Sequence, residues 1–303
     1  MFKHLLVPLD GSTLAEAALP AAAYLAQALG ASVMLLHVIE RGARETVHDE
    51  RHLTDPDEAC AYLGEVRARF FPPEAQVEQH VHTREVSDVA RSIIVHSEEM
   101  TPDLIVMCTH GKGGLRDLFF GSIAQQVIGM GVTPILLVRP RADRGIFALR
   151  RLLVPLDGSA EHEQCLPVAA GLAQAAGAAL HLVTVVPTRA TLSGNEAATG
   201  TLLPGATAAM LDLAEAGAVD YLRAHLARLQ AAGLAVTAEV ARGDPAPLVV
   251  ATARKTGADL IVLGTHGKAG MDAFWEGSVG PKVAAQSELP LLLVPVSKAA
   301  GRP

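Results

Sequence analysis

The sequence predicts an α/β fold built twice: two tandem Rossmann-like, doubly wound domains, each around a five-stranded parallel sheet. Three observations carry this. The chain has 303 residues, twice the usual length of one α/β domain. The octapeptide Leu5-Leu6-Val7-Pro8-Leu9-Asp10-Gly11-Ser12 recurs unchanged from Leu152 to Ser159, and Asp103-Leu104-Ile105-Val106 with Thr109-His110-Gly111-Lys112 recurs as Asp259 to Val262 with Thr265 to Lys268. Short apolar runs alternate with longer Ala-rich segments, the pattern of parallel strands separated by crossover helices.

The apolar runs place the strands in order. In the first copy they are Leu5 to Leu9, Ser32 to Ile39, Gln76 to His82, Leu104 to Cys108 and Ile135 to Val138. In the second they are Leu152 to Leu156, Ala179 to Val186, Ala235 to Ala241, Leu260 to Gly264 and Leu291 to Val296. Such a succession makes an open sheet with helices on both faces. The first anchor recurs 147 positions on and the second 156, so the second copy holds nine extra residues between them. They are assigned to Thr188–Thr207, where Ser193-Gly194-Asn195 and Pro204-Gly205 read as a surface loop. Ser12 and Ser159 each precede a helix whose free N–H groups a hydroxyl can cap. Pro20 and Pro167, inside those helices, predict a kink. The polar stretch from Arg139 to Gly145 is the natural linker, which sets the domains at residues 1–140 and 149–303.

Composition narrows the partners. The net charge of −7 is not concentrated into a basic stripe, which argues against DNA or RNA. Apolar runs such as Val33 to Leu36 stop far short of the roughly 20 residues a membrane helix needs. The opening residues reach Asp10 without an apolar leader core, so a cytoplasmic protein that does not contact membrane is expected. Cys60, Cys108 and Cys165 lack metal-type spacing, which is ordinary for a reducing compartment. The sequence assigns no metal-ligand set.

The chemistry-bearing pattern lies in the second copy, where the fourth strand runs into Gly264-Thr265-His266-Gly267 and Gly277-Ser278 opens the last helix. Glycines at strand ends let the backbone approach a phosphate and adopt positive φ. A helix N-terminus at Gly277 and Ser278 favours a polyphosphate, and the Ser278 hydroxyl can bond a phosphate oxygen or a water on Mg²⁺. Asp157 ends the first strand beside the same crevice, as a ribose or cation ligand or as a plain turn residue. Pro155, Leu156 and Val185 line an adenine slot. Asp272 and Glu276 oppose a triphosphate unless they point to solvent or Mg²⁺ intervenes, and Lys268 and Lys112 read as counter-charges or as solvated surface. His110 and His266 read as turn histidines, and no catalytic residue is assigned.

These residues resemble the universal stress protein family, in particular its tandem members and its ATP-binding subgroup, over Lys3 to about Val296. The opening V-P-L-D-G-S and the spacing G-x2-G-x9-G-S carry the resemblance. It implies ATP, with Mg²⁺, as the ligand. It places nucleotide contacts on Pro155, Leu156, Asp157, Val185, Leu263, Gly264, Gly267, Gly277, Ser278 and Val279, with Gly243 at a turn facing the same crevice. In the first copy the matching positions are Pro8, Leu9, Asp10, Val38, Gly111, Gly121 and Ser122. There the first glycine of the motif is Cys108, which costs roughly 1–2 kcal/mol if the position needs a left-handed backbone, so the first site is altered or empty. The resemblance also implies pairing between the last strands of the two copies, an intrachain pseudo-dimer, and leaves open a homodimer of chains.

Three functions follow: a stress-response sensor or regulator that binds ATP chiefly in the second domain and engages a protein partner; a slow ATPase or nucleotidyl-transfer enzyme, against which stands the lack of a Walker motif and of a general base; and an interaction or dimerisation scaffold that binds no nucleotide.

Overall fold

The computed structural model describes residues 1–43, 46–47, 50–109, 122–140, 146–192, 194–266 and 279–296. The chain divides into two compact units, the first built on Met1–Ala148 with Glu288–Pro295 and the second on Leu149–Thr265.

In the first unit the long strands are β1 (His4–Pro8), β2 (Ser32–Glu40), β5 (Val77–Val86), β6 (Leu104–Cys108) and β7 (Ile135–Val138), with a two-stranded hairpin β3 (Thr46–Val47) and β4 (Glu50–Arg51) after β2. The sheet runs β5-β2-β1-β6-β7 with every neighbour parallel. Helices α1 (Leu19–Leu29), α2 (Pro56–Phe70), α3 (Val89–Met100) and α4 (Ser122–Met130) connect them. Strands covered on both faces have to be apolar throughout, and Leu104, Ile105 and Val106 are fully buried in β6.

The second unit repeats the plan with β8 (Arg151–Pro155), β9 (Ala179–Val186), β10 (Val236–Arg242) and β11 (Leu260–His266) in the parallel order β10-β9-β8-β11. Its helices are α5 (Cys165–Ala176), α6 (Gly194–Leu202), α7 (Pro204–Ala231), α8 (Pro245–Thr256) and α9 (Val279–Gln286). Strand β12 (Leu291–Val296) lies antiparallel to β7, Leu291 opposite Leu137. Among the described residues no helix is long and apolar enough to cross a membrane.

The repeated Asp of D-L-I-V holds the N-terminal ends of the interior strands, opposite to the end that carries Gly264. Asp103 accepts from the backbone N–H of Lys3 at 2.6 Å and of His4 at 3.0 Å. Asp259 does the same for Arg150 at 2.8 Å and Arg151 at 2.9 Å. These N–H groups lead into β1 and β8, and a charge-assisted bond to each is stronger than a neutral one.

Three expectations change. Thr188–Thr207 is helical rather than a loop: a 3-10 turn over Arg189–Thr191, then α6 and the start of α7. Ala-rich sequence favours helix, and Pro204 and Gly205 sit in the first turn of α7, where a missing N–H costs nothing. The length difference is also distributed otherwise, since β10 starts 159 positions after β5 but has seven residues against ten. Twelve residues are thus gained before β10 and three lost within it. Finally, Pro20 and Pro167 do not kink a helix interior. Each lies in the first turn of α1 or α5, just after a 3-10 turn (Ala15–Ala18 or His162–Gln164) gives way to α-helix.

Candidate functional site

In both units the strand order reverses beside the first strand, between β1 and β6 and between β8 and β11. Open α/β sheets bind ligands outside the strand ends at such a point. The turn leaving β8 is held by Asp157, whose Oδ1 accepts from Ser159 N at 2.9 Å. Gly158 takes φ +82°, a backbone only glycine adopts without strain. Ser159 Oγ accepts from the N–H of His162, the first residue of the 3-10 turn, at 3.2 Å, from two residues before the N-cap Glu161, and neither that turn nor α5 has a side-chain bond from its N-cap residue. Asp10 and Ser12 repeat this, with Ser12 N to Asp10 Oδ1 at 2.9 Å and Ala15 N to Ser12 Oγ at 3.2 Å.

The second unit adds a histidine. His162 Nδ1 lies 2.7 Å from Asp157 Oδ2 and 3.0 Å from Ser159 Oγ. Burial alone would raise the Asp157 pKa, but the bonds from His162 and Ser159 outweigh it and hold the carboxyl well below the usual range. The Asp157 bond in turn raises the His162 pKa. This is no nucleophilic triad, because carboxylate and hydroxyl meet the same ring nitrogen, whereas a base relay needs them on opposite nitrogens. The carboxylate remains about half exposed, with its charge intact.

Gly264 carries a different reason from the one its sequence context suggests. It has no positive φ. A Cβ there would lie 3.1 Å from both Cα and O of His162 and 3.2 Å from its Cδ2, so the glycine admits the 3-10 turn against β11. The register places Cys108 at this position in the first unit, and Ala15 where the second has His162. A larger residue on the strand thus goes with a smaller one on the turn. Cys108 likewise has no left-handed backbone and carries no such strain. Its thiol is buried, and burial pushes its pKa up to about 12, so it behaves as a small hydrophobe rather than a nucleophile.

The two crevices differ most at Gly11 and Gly158. A Cβ on Gly11 would meet Leu53 Cδ1 at 2.8 Å, whereas one on Gly158 meets nothing within 4 Å among the described residues. Leu53 therefore lies on the first turn. It is held by His37, a buried β2 side chain whose Nε2 is 3.0 Å from Leu53 O and whose Nδ1 is 2.9 Å from Leu9 O. Burial lowers the His37 pKa despite both carbonyls, so one carbonyl takes the single N–H of a neutral ring. In the second unit Thr184 occupies the matching strand position, and its buried hydroxyl has no hydrogen-bond partner among the described residues.

Of the predicted contacts, Pro155, Leu156 and Asp157 run off the end of β8, with Leu156 N bonded to Val183 O at 2.8 Å. Val185 lies on β9, Leu263 and Gly264 on β11, and Val279 begins α9, about one-third exposed. Gly243 follows β10 at φ +146°, and a Cβ there would meet Leu248 Cδ1 at 3.0 Å. Pro8, Leu9, Asp10 and Val38 take the matching places at the ends of β1 and β2, and Ser122 begins α4. Gly267, Gly277 and Ser278, and Gly111 and Gly121, lie outside the described residues, as do Lys112, Lys268, Asp272, Glu276 and His110. His162, Leu53 and His37 are the residues sequence reasoning missed. The signal for His162 was the Asp-x4-His spacing after β8.

A twice-repeated parallel α/β unit with its crevice at the switch point defines a tandem doubly wound protein. The model of the Universal stress protein family matches residues 1–139 and again 148–295, and the chain belongs to that family. It is 29% identical over 148 residues to universal stress protein YxiE of Bacillus subtilis, covering 46% of this chain and 100% of that protein. It is 35% identical over 145 residues to a universal stress protein of Thermus aquaticus, with the same coverage. The fold matches that of a universal stress protein from Archaeoglobus fulgidus with a TM-score of 0.70 at 20% identity, over 96% of this chain and 98% of that one.

Proposed function

We propose that this protein is a cytoplasmic stress-response regulator that binds ATP, with Mg²⁺, chiefly in its second unit, and that occupancy alters its conformation or its protein partners. The observation that carries the reading is the contrast between the two turns. Leu53 covers Gly11, while among the described residues nothing covers Gly158, next in the chain to the charged Asp157, and Thr184 on β9 carries a buried hydroxyl with no partner there. A buried polar group without a partner is costly, and a ligand hydroxyl or bridging water would satisfy it. The strand-end position, the switch point and the glycine spacing that follows Gly264 all favour a nucleotide with its phosphates toward the last helix. The assembly belongs to the same proposal: an intrachain pseudo-dimer, with the mass in solution deciding whether two chains associate further.

The test is the mass spectrum of small molecules released on denaturing freshly purified protein, beside a Gly277→Val variant. One adenine nucleotide per chain, lost in the variant, is the expected result. No nucleotide, and none taken up with ATP and Mg²⁺, overturns it. That outcome would favour a second reading, a protein-interaction scaffold. Its support is the apolar exposure along α6 and α7, where Leu202 is 79% and Leu213 is 74% exposed.

A further inference from the structure

The two units treat one place on the sheet in opposite ways. Strand β5 lies at the end of its sheet order, and His80 and His82, two residues apart, stand on the same face because side chains alternate along a strand. Helix α3 packs there and supplies His96, which is buried. His96 Nε2 is 2.9 Å from His82 Nδ1, and the His96 ring centroid is 4.8 Å from that of His80 and 4.9 Å from that of His82. One nitrogen from each of the three rings falls within 4.8 Å of the others.

The second unit shows what the fold does here when it needs no third party. The registers of β5 on β2 and of β10 on β9 put Glu239 at the position of His80 and Ala241 at that of His82. The equal lengths of α3 and α8 put Thr252 at the position of His96 and Lys255 at that of Glu99. Glu239 accepts from Thr252 Oγ1 at 3.0 Å and from Lys255 Nζ at 2.6 Å, so acid and base satisfy one another. The first unit replaces that pair with three imidazoles and an acid, a set rich in lone pairs.

We infer that His80, His82 and His96 form a binding site for one divalent transition-metal ion of the zinc type. Neutral imidazole nitrogens are preferred ligands for such ions, and three of them with an open fourth position is a known zinc arrangement. Bonds of 2.0–2.1 Å in a tetrahedron set ligand nitrogens roughly 3.3 Å apart, a small opening from the 2.9 Å now between His96 and His82. Glu99 completes the logic. Its Oε2 lies 3.3 Å from His96 Nδ1, within ion-pair reach but off the direction of a good hydrogen bond, since Nδ1 has no hydrogen-bond partner among the described residues. A carboxylate on that side favours the Nδ1–H tautomer and leaves Nε2 as the ligand, the outer-shell arrangement typical of zinc-bound histidine. The sequence offered only His80-Val81-His82 as a cue, because the third ring is fourteen residues further on.

The test uses the full chain, purified without a polyhistidine tag, stripped with chelator and titrated with Zn²⁺ by calorimetry. A parallel Co²⁺ titration is read by its visible absorption. One Zn²⁺ per chain and a raised melting temperature on loading are expected. Glu99→Gln should weaken binding about ten- to a hundredfold, and His82→Asn by more. As a variant built to keep the fold, His80→Glu with His96→Thr and Glu99→Lys installs the second unit's set and should abolish that binding without lowering the metal-free melting temperature. Unchanged affinity in that triple variant, or no stoichiometric Zn²⁺ in the parent chain, overturns the site. Nucleotide content plays no part in the readout.

Discussion

The two copies share the octapeptide that leaves their first strands, yet build different crevices from it. In the first, Ala15 on the turn and Cys108 on the strand are both buried, and Leu53 lies over Gly11. In the second, His162 occupies the turn, Gly264 yields to it, and no described residue covers Gly158. The same Asp therefore does different work. Asp10 Oδ1 takes both the backbone N–H and the hydroxyl of Ser12, whereas Asp157 is bound by Ser159 on one oxygen and His162 on the other. The lesson is that an identical motif fixes a turn, and what it faces is decided by residues outside the motif.

The sharpest way to break this comparison is to exchange the strand residue. Gly264→Cys forces a side chain against the His162 backbone and should cost about 3 kcal/mol, the upper range for overpacking, measured by denaturant unfolding. Adding His162→Ala, which recreates the first unit's pairing, should recover part of that loss, with a coupling of about 1 kcal/mol or more. Strict additivity would show that the close approach is not why Gly264 is glycine. Next in size is the pair of turn glycines. Gly158→Ala meets only the left-handed backbone and should cost about 1 kcal/mol, while Gly11→Ala must also displace Leu53 and should cost about 2 kcal/mol. Equal losses in melting experiments would mean that Leu53 does not rest on the first turn.

Leu53→Ala should destabilise by about 1 kcal/mol, since the side chain is only half-buried. It also opens the first crevice, so bound nucleotide per chain should rise above that of the parent on titration with ATP and Mg²⁺. An unchanged stoichiometry would assign the block to Cys108 instead. The smallest effect is in pH. The raised pKa of His162 gives stability that is complete below about pH 6.5 and lost as pH rises through its folded value. The depressed pKa of Asp157 gives stability that is complete above about pH 4 and lost as pH falls through its folded value. The pair therefore contributes most between about pH 4 and 6.5, weakened by solvent because the Asp157 carboxylate is half exposed. His162→Ala should flatten the alkaline side of the melting-temperature profile, and a profile unchanged by the substitution would show the pair to be energetically silent.

Much of the fold was legible because buried parallel strands are written as continuous apolar runs. The runs at Leu104 to Cys108, Ile135 to Val138, Ala179 to Val186 and Leu291 to Val296 coincide with β6, β7, β9 and β12. Thr188–Thr207 was misread because its Gly, Ser and Pro residues were taken as turn formers, while the intervening Ala residues and the first-turn position of Pro204 favour helix. Pro155, Val185, Leu263 and Gly264 fall on the strands expected of them, but the physical reason for Gly264 was not legible, since close approach by a neighbouring turn leaves no local trace. Leu53 was invisible for the same cause: a single apolar residue in a polar connection becomes a plug only once His37 reaches its carbonyl.

Asp103 and Asp259 grip the peptide groups that open β1 and β8, and this fixes where one repeat can be severed from the next. A fragment that begins at Leu152 lacks both N–H groups that Asp259 holds, and its first strand starts with a loose end. The seam between the repeats therefore falls upstream of Arg150, and an experimenter excising the second unit should cut there, keeping Arg150 and Arg151 with the strand they start.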